Sequence, residues 1–366
     1  MEARRIQEIY LPSNRDIVAQ WQLAMKSAGL IFDHSAHYVD HLAPFCALQG
    51  WPLFVCEPDI AEACRRFYPG LEVRELAIHE LRRELPACIV ACQPKAFLKN
   101  ALGDFLPSAL RTLWLPHGHS DKGWHTPFFE ALKEEELLFV YGQRMRETLR
   151  AKGVDLPQCV VGNFRQHYYE ANRPFYDALV RQQVGLKRFV LYAPTWDESN
   201  TFWLGFSRLS SSVPSNRRLL IKVHPNTELA FPAELERCKG EIAKRPNVSF
   251  LEGFPCIYPL LARADAYIGD MSSIGYDFLR FDKPLFFLNA GPKCSLEDKS
   301  AFLMRCGEQI SIDDIGSIWP KLTQDRFQSE RRATLKQVFH SLPSGGRTNT
   351  DARSAILPAA GDAESV

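Results

Sequence analysis

Short apolar runs recur along this chain with amphipathic stretches between them. That alternation restricts the possible fold more than any other feature of the sequence. Runs such as Ala28–Asp33 (AGLIFD) and Ala87–Cys92 (ACIVAC) present no polar face. Strands of that kind need cover on both sides, which a parallel sheet flanked by helices supplies. The first half reads as strands at Ala28–Asp33, Pro52–Cys56, Leu71–Leu76, Ala87–Cys92, Arg111–Leu115, Leu137–Tyr141 and Cys159–Val161. Helices are expected at His37–Gln49, Ile60–Phe67, Lys95–Phe105 and Gln143–Lys152. The pattern then restarts, with strands at Arg188–Ala193, Leu219–Val223, Val248–Leu251, Ala266–Ile268 and Pro284–Leu288 and helices at Ala233–Lys244 and Tyr258–Ala264.

A chain of 366 residues exceeds one ordinary core. The expected fold is therefore α/β, with two Rossmann-like, doubly wound halves facing each other across a cleft. The boundaries fall at 1–165 for an N-terminal domain, 166–187 for a polar helical linker and 188–344 for a C-terminal domain. Residues 345–366, small and polar, read as a disordered tail, and Leu209–Asn216 (LSSSVPSN) as a loop. An apolar content of 46% and a charged content of 24% suit a soluble globular protein, and a net charge of +1 gives no basic excess for a nucleic-acid partner. The N-terminus lacks the apolar core of a secretory signal, and no run approaches the ~18 apolar residues of a membrane span. Ten cysteines without a CxxC pair fit a reduced, cytoplasmic chain in which Cys acts as a small hydrophobe. No metal site or cofactor is expected.

Open parallel sheets bind ligands beyond the carboxyl ends of their strands, and four motifs fall there. In LPHGHSDKG, His117 is the first polar side chain off a strand end; it suits a general base, although spacing alone favours a capped, hydrogen-bonded loop histidine. Gly118 would admit a close-lying substrate, with His119 beside it. In YAPTWD, Thr195 can donate to a phosphate or cap a helix. In KVHPN, Lys222 and His224 are expected on opposite faces, which leaves His224 nearer the ligand, with a structural role as the alternative. In YIGDMSSIGYDF, Asp270 ends a strand and Ser272 and Ser273 open a helix whose N–H groups favour an anion; an N-cap role for one serine is the plainer reading. Neither GxxxxGK[ST] nor GxGxxG is present in a phosphate-binding position. His37 and His41 stand at i,i+4, a spacing that can bind metal, but Tyr38 replaces the glutamate of HExxH. His34 is the preferred substrate-facing residue of that first loop.

These motifs, with YIGDMSSIGYDFLRFDKPLFFLN and Gly162-Asn163-Phe164-Arg165, occur in the order found in the CDP-glycerol glycerophosphotransferases, the teichoic-acid primases and polymerases of bacterial cell walls. The resemblance spans about Arg111 to Asn289. It implies a GT-B fold with the nucleotide held mainly by the second domain. It also implies His117 as catalytic base and His224 beside the donor diphosphate. Ser272 and Ser273 would hold the phosphate, with Asp270, Thr195 and Arg165 near it, and Asp277 would reach the ribose. Gly118, His119 and His34 fall on the acceptor side. The implied partners are a CDP-linked polyol donor and a hydroxyl-bearing, lipid-linked acceptor, with peripheral contact to the inner face of a membrane. The sequence departs from the family at Gly269 and Met271, where Thr and Tyr are usual, and at Asp197, where a base is common. A GT-B glycosyltransferase, a sugar-nucleotide epimerase and a non-catalytic nucleotide-binding protein are the alternatives.

Overall fold

The computed structural model describes residues 27–121, 126–185, 187–196, 200–289 and 299–339. The apolar runs form two separate parallel sheets. The first has strands β1 (Ser27–Ile31), β2 (Leu53–Val55), β3 (Val73–Glu75), β4 (Cys88–Ala91), β5 (Arg111–Trp114), β6 (Leu137–Val140) and β7 (Gln158–Val160), in the order β3-β2-β1-β4-β5-β6-β7. The second has β8 (Phe189–Tyr192), β9 (Leu219–Ile221), β10 (Val248–Phe250), β11 (Ala264–Gly269), β12 (Leu285–Asn289) and β13 (Glu308–Ser311), in the order β10-β9-β8-β11-β12-β13. Strand order reverses between β1 and β4 in one sheet and between β8 and β11 in the other. Such reversals splay neighbouring loops apart and leave a crevice.

The two halves share one apolar core. Residues of both sheets and their helices, from Val39 and Phe45 to Phe278 and Phe339, form a single buried cluster. Phe67 meets Phe254 edge-on at 5.5 Å, and Phe339 meets Tyr141 in the same way at 5.5 Å. The last described helix, Gln328–Val338, thus returns to pack on the Gln143–Ala151 helix of the first half.

One local expectation needs correction and three others gain detail. The LSSSVPSN segment is not all loop: a helix runs over Phe202–Ser212. Its serines turn their hydroxyls back to the carbonyls of Ser207 and Leu209, which satisfies them inside the helix, and Leu209 is buried. Strand β13 was missed because Glu308–Ser311 (EQIS) is a half-exposed edge strand without an apolar run. The segment read as a linker forms helices Phe164–Ala171 and Arg173–Gln183, and Tyr168, Tyr169, Tyr176 and Val180 sink into the core. The helix after Ser273 is only Ile274–Phe278, continued by a 3-10 turn over Leu279–Phe281. The tail at 345–366, Lys122, Gly123 and Asp197 lie outside the described residues.

Candidate active site

A cavity of about 340 Å³ opens between the carboxyl ends of the two sheets. From the first half, the Ala36–Gln49 helix starts just beyond β1, so His37 and His41, four residues apart, share one face. Both line the cavity, as does Asp40. The hydroxyl of Tyr141 donates to the Pro116 carbonyl at 3.0 Å, and His41 Nδ1 lies 3.2 Å from the same hydroxyl. With the tyrosine proton committed, His41 must donate from Nδ1, which leaves its Nε2 with a lone pair. Burial and the Arg165 cation hold this imidazole well below its usual range.

His117 follows Leu115-Pro116 past the end of β5. Its ring centroid lies 5.9 Å from His37, 6.4 Å from His41 and 5.3 Å from Tyr38. Protein surrounds the ring on most sides, yet water reaches it through the cleft. The packed surroundings, then Arg165, shift its pKa downward, so the imidazole is neutral at pH 7 and able to take a proton. His37 is held at about 3 by desolvation and by His117, against a hydrogen bond with Asn226 that favours the protonated ring.

From the second half, His224 caps the Pro225–Ala230 helix, its Nδ1 accepting the Asn226 N–H at 3.1 Å. An accepting Nδ1 puts the proton of the neutral ring on Nε2, so that nitrogen is a donor. The expectation of opposite faces for Lys222 and His224 is corrected: residues two apart along an extended chain point to the same side, and both line the cavity just beyond β9, which ends at Ile221. Lys222 is 6% exposed and forms no ion pair among the described residues. Burial lowers its pKa, while Glu228 and Asp40 act at longer range to raise it.

Ser272 and Ser273 follow β11 and line the cavity with Thr195 and Trp196 of the loop after β8. Gly118 touches this turn. A methyl group at Gly118 would sit 2.6 Å from Ser273 Oγ, and its φ of 121° is open to glycine and strained for other residues. The loop bearing His117 and the turn bearing the serines are therefore in direct contact across the cleft.

Thus His117, Gly118, Thr195, His224, Ser272, Ser273, Arg165 and Asp277 come together around one cavity. Three predicted residues do not. Asp270 accepts the Thr195 N–H at 2.9 Å and the Thr201 N–H at 3.1 Å, so its carboxylate shapes the loop after β8 and is turned from the cavity. His119 is buried edge-on against Tyr276 at 4.6 Å. His34 is exposed, with Nε2 3.3 Å from Glu57 and Nδ1 3.4 Å from Asp59. Those three side chains are the one group of possible metal donors among the described residues. It lies open to solvent with both ring nitrogens already facing carboxylates. Arg165 and Asp277 pair with each other. Sequence reasoning missed His37, His41, Lys222 and Trp196 as cavity-lining groups. The signal for the first two was their place on the helix directly after β1, at the strand-order reversal.

Residues 168–291 match the family described as CDP-Glycerol:Poly(glycerophosphate) glycerophosphotransferase. The chain carries a glycerophosphotransferase-family domain. The matched stretch contains the Thr195, His224 and Ser272-Ser273 motifs and begins after the His117 loop. No curated protein matches the chain in sequence. Among solved structures, the wall teichoic acid polymerase TagF superposes with a TM-score of 0.60 at 14% identity, over 91% of this chain and 88% of that one. An MnaA–UDP structure from S. aureus gives 0.58 at 11% identity, over 86% and 91%. A UDP-GlcNAc 2-epimerase from Neisseria meningitidis bound to UDP-GlcNAc gives 0.58 at 9%, over 90% and 97%. At these identities the likeness establishes the fold: the glycerophosphotransferase domain belongs to a GT-B-like, two-sheet architecture.

Proposed function

We propose that this protein transfers glycerol phosphate, or a related polyol phosphate, from a CDP-linked donor to an acceptor hydroxyl. The contact of Gly118 with Ser273 carries the reading, because it sets a neutral, water-accessible imidazole beside a phosphate-sized cradle. The acceptor oxygen attacks the phosphorus attached to the polyol, and the bond from that phosphorus to the bridging oxygen breaks. The bonding pair leaves with CMP, and the acceptor proton passes to His117. His224 Nε2–H, the Lys222 ammonium and the hydroxyls of Ser272 and Ser273 stabilise negative charge on the diphosphate. No described helix is long and apolar enough to cross a membrane; we assign the reaction to the cytoplasm, with the lipid-linked acceptor met at the membrane face. A TagF variant soaked with CDPG shares this fold, which supports the choice of donor.

The protein should be incubated with CDP-glycerol and, separately, with UDP-N-acetylglucosamine, each with and without acceptor. Acceptor-dependent CMP release is the expected result. Release of UDP, or epimerisation of the sugar nucleotide, would replace this reading with the glycosyltransferase or epimerase one. A His117 buried and facing away from the cleft would have favoured a non-catalytic role; its place in the cavity lining supports the catalytic reading.

A further inference from the structure

Arg165 stands in the first turn of the Phe164–Ala171 helix, 4% exposed, behind the cavity. One arm of its guanidinium donates to Asp40 Oδ2 at 2.9 Å, and the other donates to Asp277 Oδ2. Asp40 belongs to the helix that carries His37 and His41. Asp277 belongs to the short helix that follows Ser272 and Ser273. Each carboxylate is itself fixed. Tyr68 donates to Asp40 at 3.0 Å, and the Tyr258 hydroxyl lies 2.8 Å from Asp277 Oδ1 and 2.7 Å from Asn163 Oδ1. Arg165 Nε is sealed from solvent and has no partner among the described residues. A planar fork suits two carboxylates held in fixed places, which a lysine cannot bridge in the same way.

We infer that Arg165 is a positioning residue: it ties the histidine helix of one half to the serine turn of the other and does not bind the donor. The inference rests on the proposed transfer reaction for its kinetic readout only. Its charge has a second consequence, since the guanidinium opposes protonation of His117. The other groups facing that imidazole are His37, His41, Tyr38 and Asp40 from its own half, and Lys222, His224 and Asp277 from the other.

Two variants separate the bridge from the charge. Arg165→Lys keeps the cation but cannot span both carboxylates, and Arg165→Met loses both. CDP affinity by calorimetry should stay within threefold of wild type in each. Turnover at saturating donor should fall at least thirtyfold in both, in protein shown to be folded at the assay temperature. The His117 titration, followed by NMR of labelled histidine, should move to higher pH in Arg165→Met and stay near wild type in Arg165→Lys. Turnover within twofold of wild type in Arg165→Lys would overturn the proposal, as would CDP binding weakened tenfold or more. If Arg165→Met does not fold, Arg165→Lys decides alone. If the wild-type protein transfers nothing from CDP-glycerol, the donor reading fails, and CDP affinity and the His117 titration still test Arg165.

Discussion

At the scale of single residues, His117 and His224 should separate binding from chemistry. His117 lies with the first-half histidines, whereas His224 lines the cavity from the second half. His117→Ala should lower turnover by roughly a hundredfold or more, the usual size of a lost acid–base contribution, with little change in CDP affinity. His224→Ala should weaken both, and calorimetry beside a CMP-release assay distinguishes them. Lys222 gives a prediction of mixed sign. Its ammonium is buried without an ion pair among the described residues, which costs stability in the free protein. Lys222→Met should therefore raise the melting temperature of the free protein and weaken CDP binding at least tenfold. A Met variant with lower stability and unchanged binding would remove Lys222 from the diphosphate. The four strand-end motifs were legible because glycine, serine and histidine are conspicuous immediately after apolar runs. Lys222 was set aside by a misapplied alternation rule: residues two apart in an extended chain share a face, so a ligand-facing His224 brings Lys222 with it. Asp270 was misplaced for a different reason: a carboxylate at a strand end serves a ligand or a neighbouring loop, and only the fold reveals that Thr195 and Thr201 claim it.

At the scale of elements, twelve of the strands were legible, most of them as buried apolar runs, although the edge strands β3, β7 and β10 are partly exposed. β13 was invisible because it forms the sheet edge and shows a polar sequence. The pairing of halves was less legible, since nothing local in LPHGHSDKG records that Gly118 rests on Ser273. That contact can be tested directly. Gly118→Ala adds a methyl group 2.6 Å from Ser273 Oγ at a φ of 121°. The strain should cost on the order of 1–3 kcal/mol, measured by denaturant unfolding. Turnover should fall as well, because either the His117 loop or the serine turn must move to relieve the overlap. An alanine variant with wild-type stability and turnover would show that the two loops do not touch in solution.

For the molecule as a whole, the continuous core and the contacts across the cleft make the two halves one unfolding unit, and acid should reveal this. His119 sits in the second of the cross-half contacts. The same loop continues to Asp121, which accepts from the Tyr276 hydroxyl at 2.7 Å and the Leu303 N–H at 2.8 Å. Desolvation, then Arg144, holds the His119 pKa at about 3 in the folded chain, and its Nδ1 has no hydrogen-bond partner among the described residues. In the unfolded chain a histidine titrates near ~6.5. Between about pH 4 and 6 the unfolded state therefore carries a proton at this position that the folded state refuses. Stability must fall as pH falls through that window, by about 1.4 kcal/mol per pH unit for this one group. Asp40, raised to about 6, and Glu135, raised to about 7, act with the opposite sign, because the folded state holds protons there that the unfolded chain has released. His37 and His41 add to the histidine side. The absolute slope is thus a balance, and the difference between two proteins isolates one group. His119→Gln should flatten the plot of unfolding free energy against pH by about 1.4 kcal/mol per pH unit between pH 4 and 6, whatever it does to stability at pH 7. Parallel plots for the two proteins would mean that His119 takes up its proton in the folded state, and that the contact it makes with Tyr276 opens to water well before the molecule unfolds.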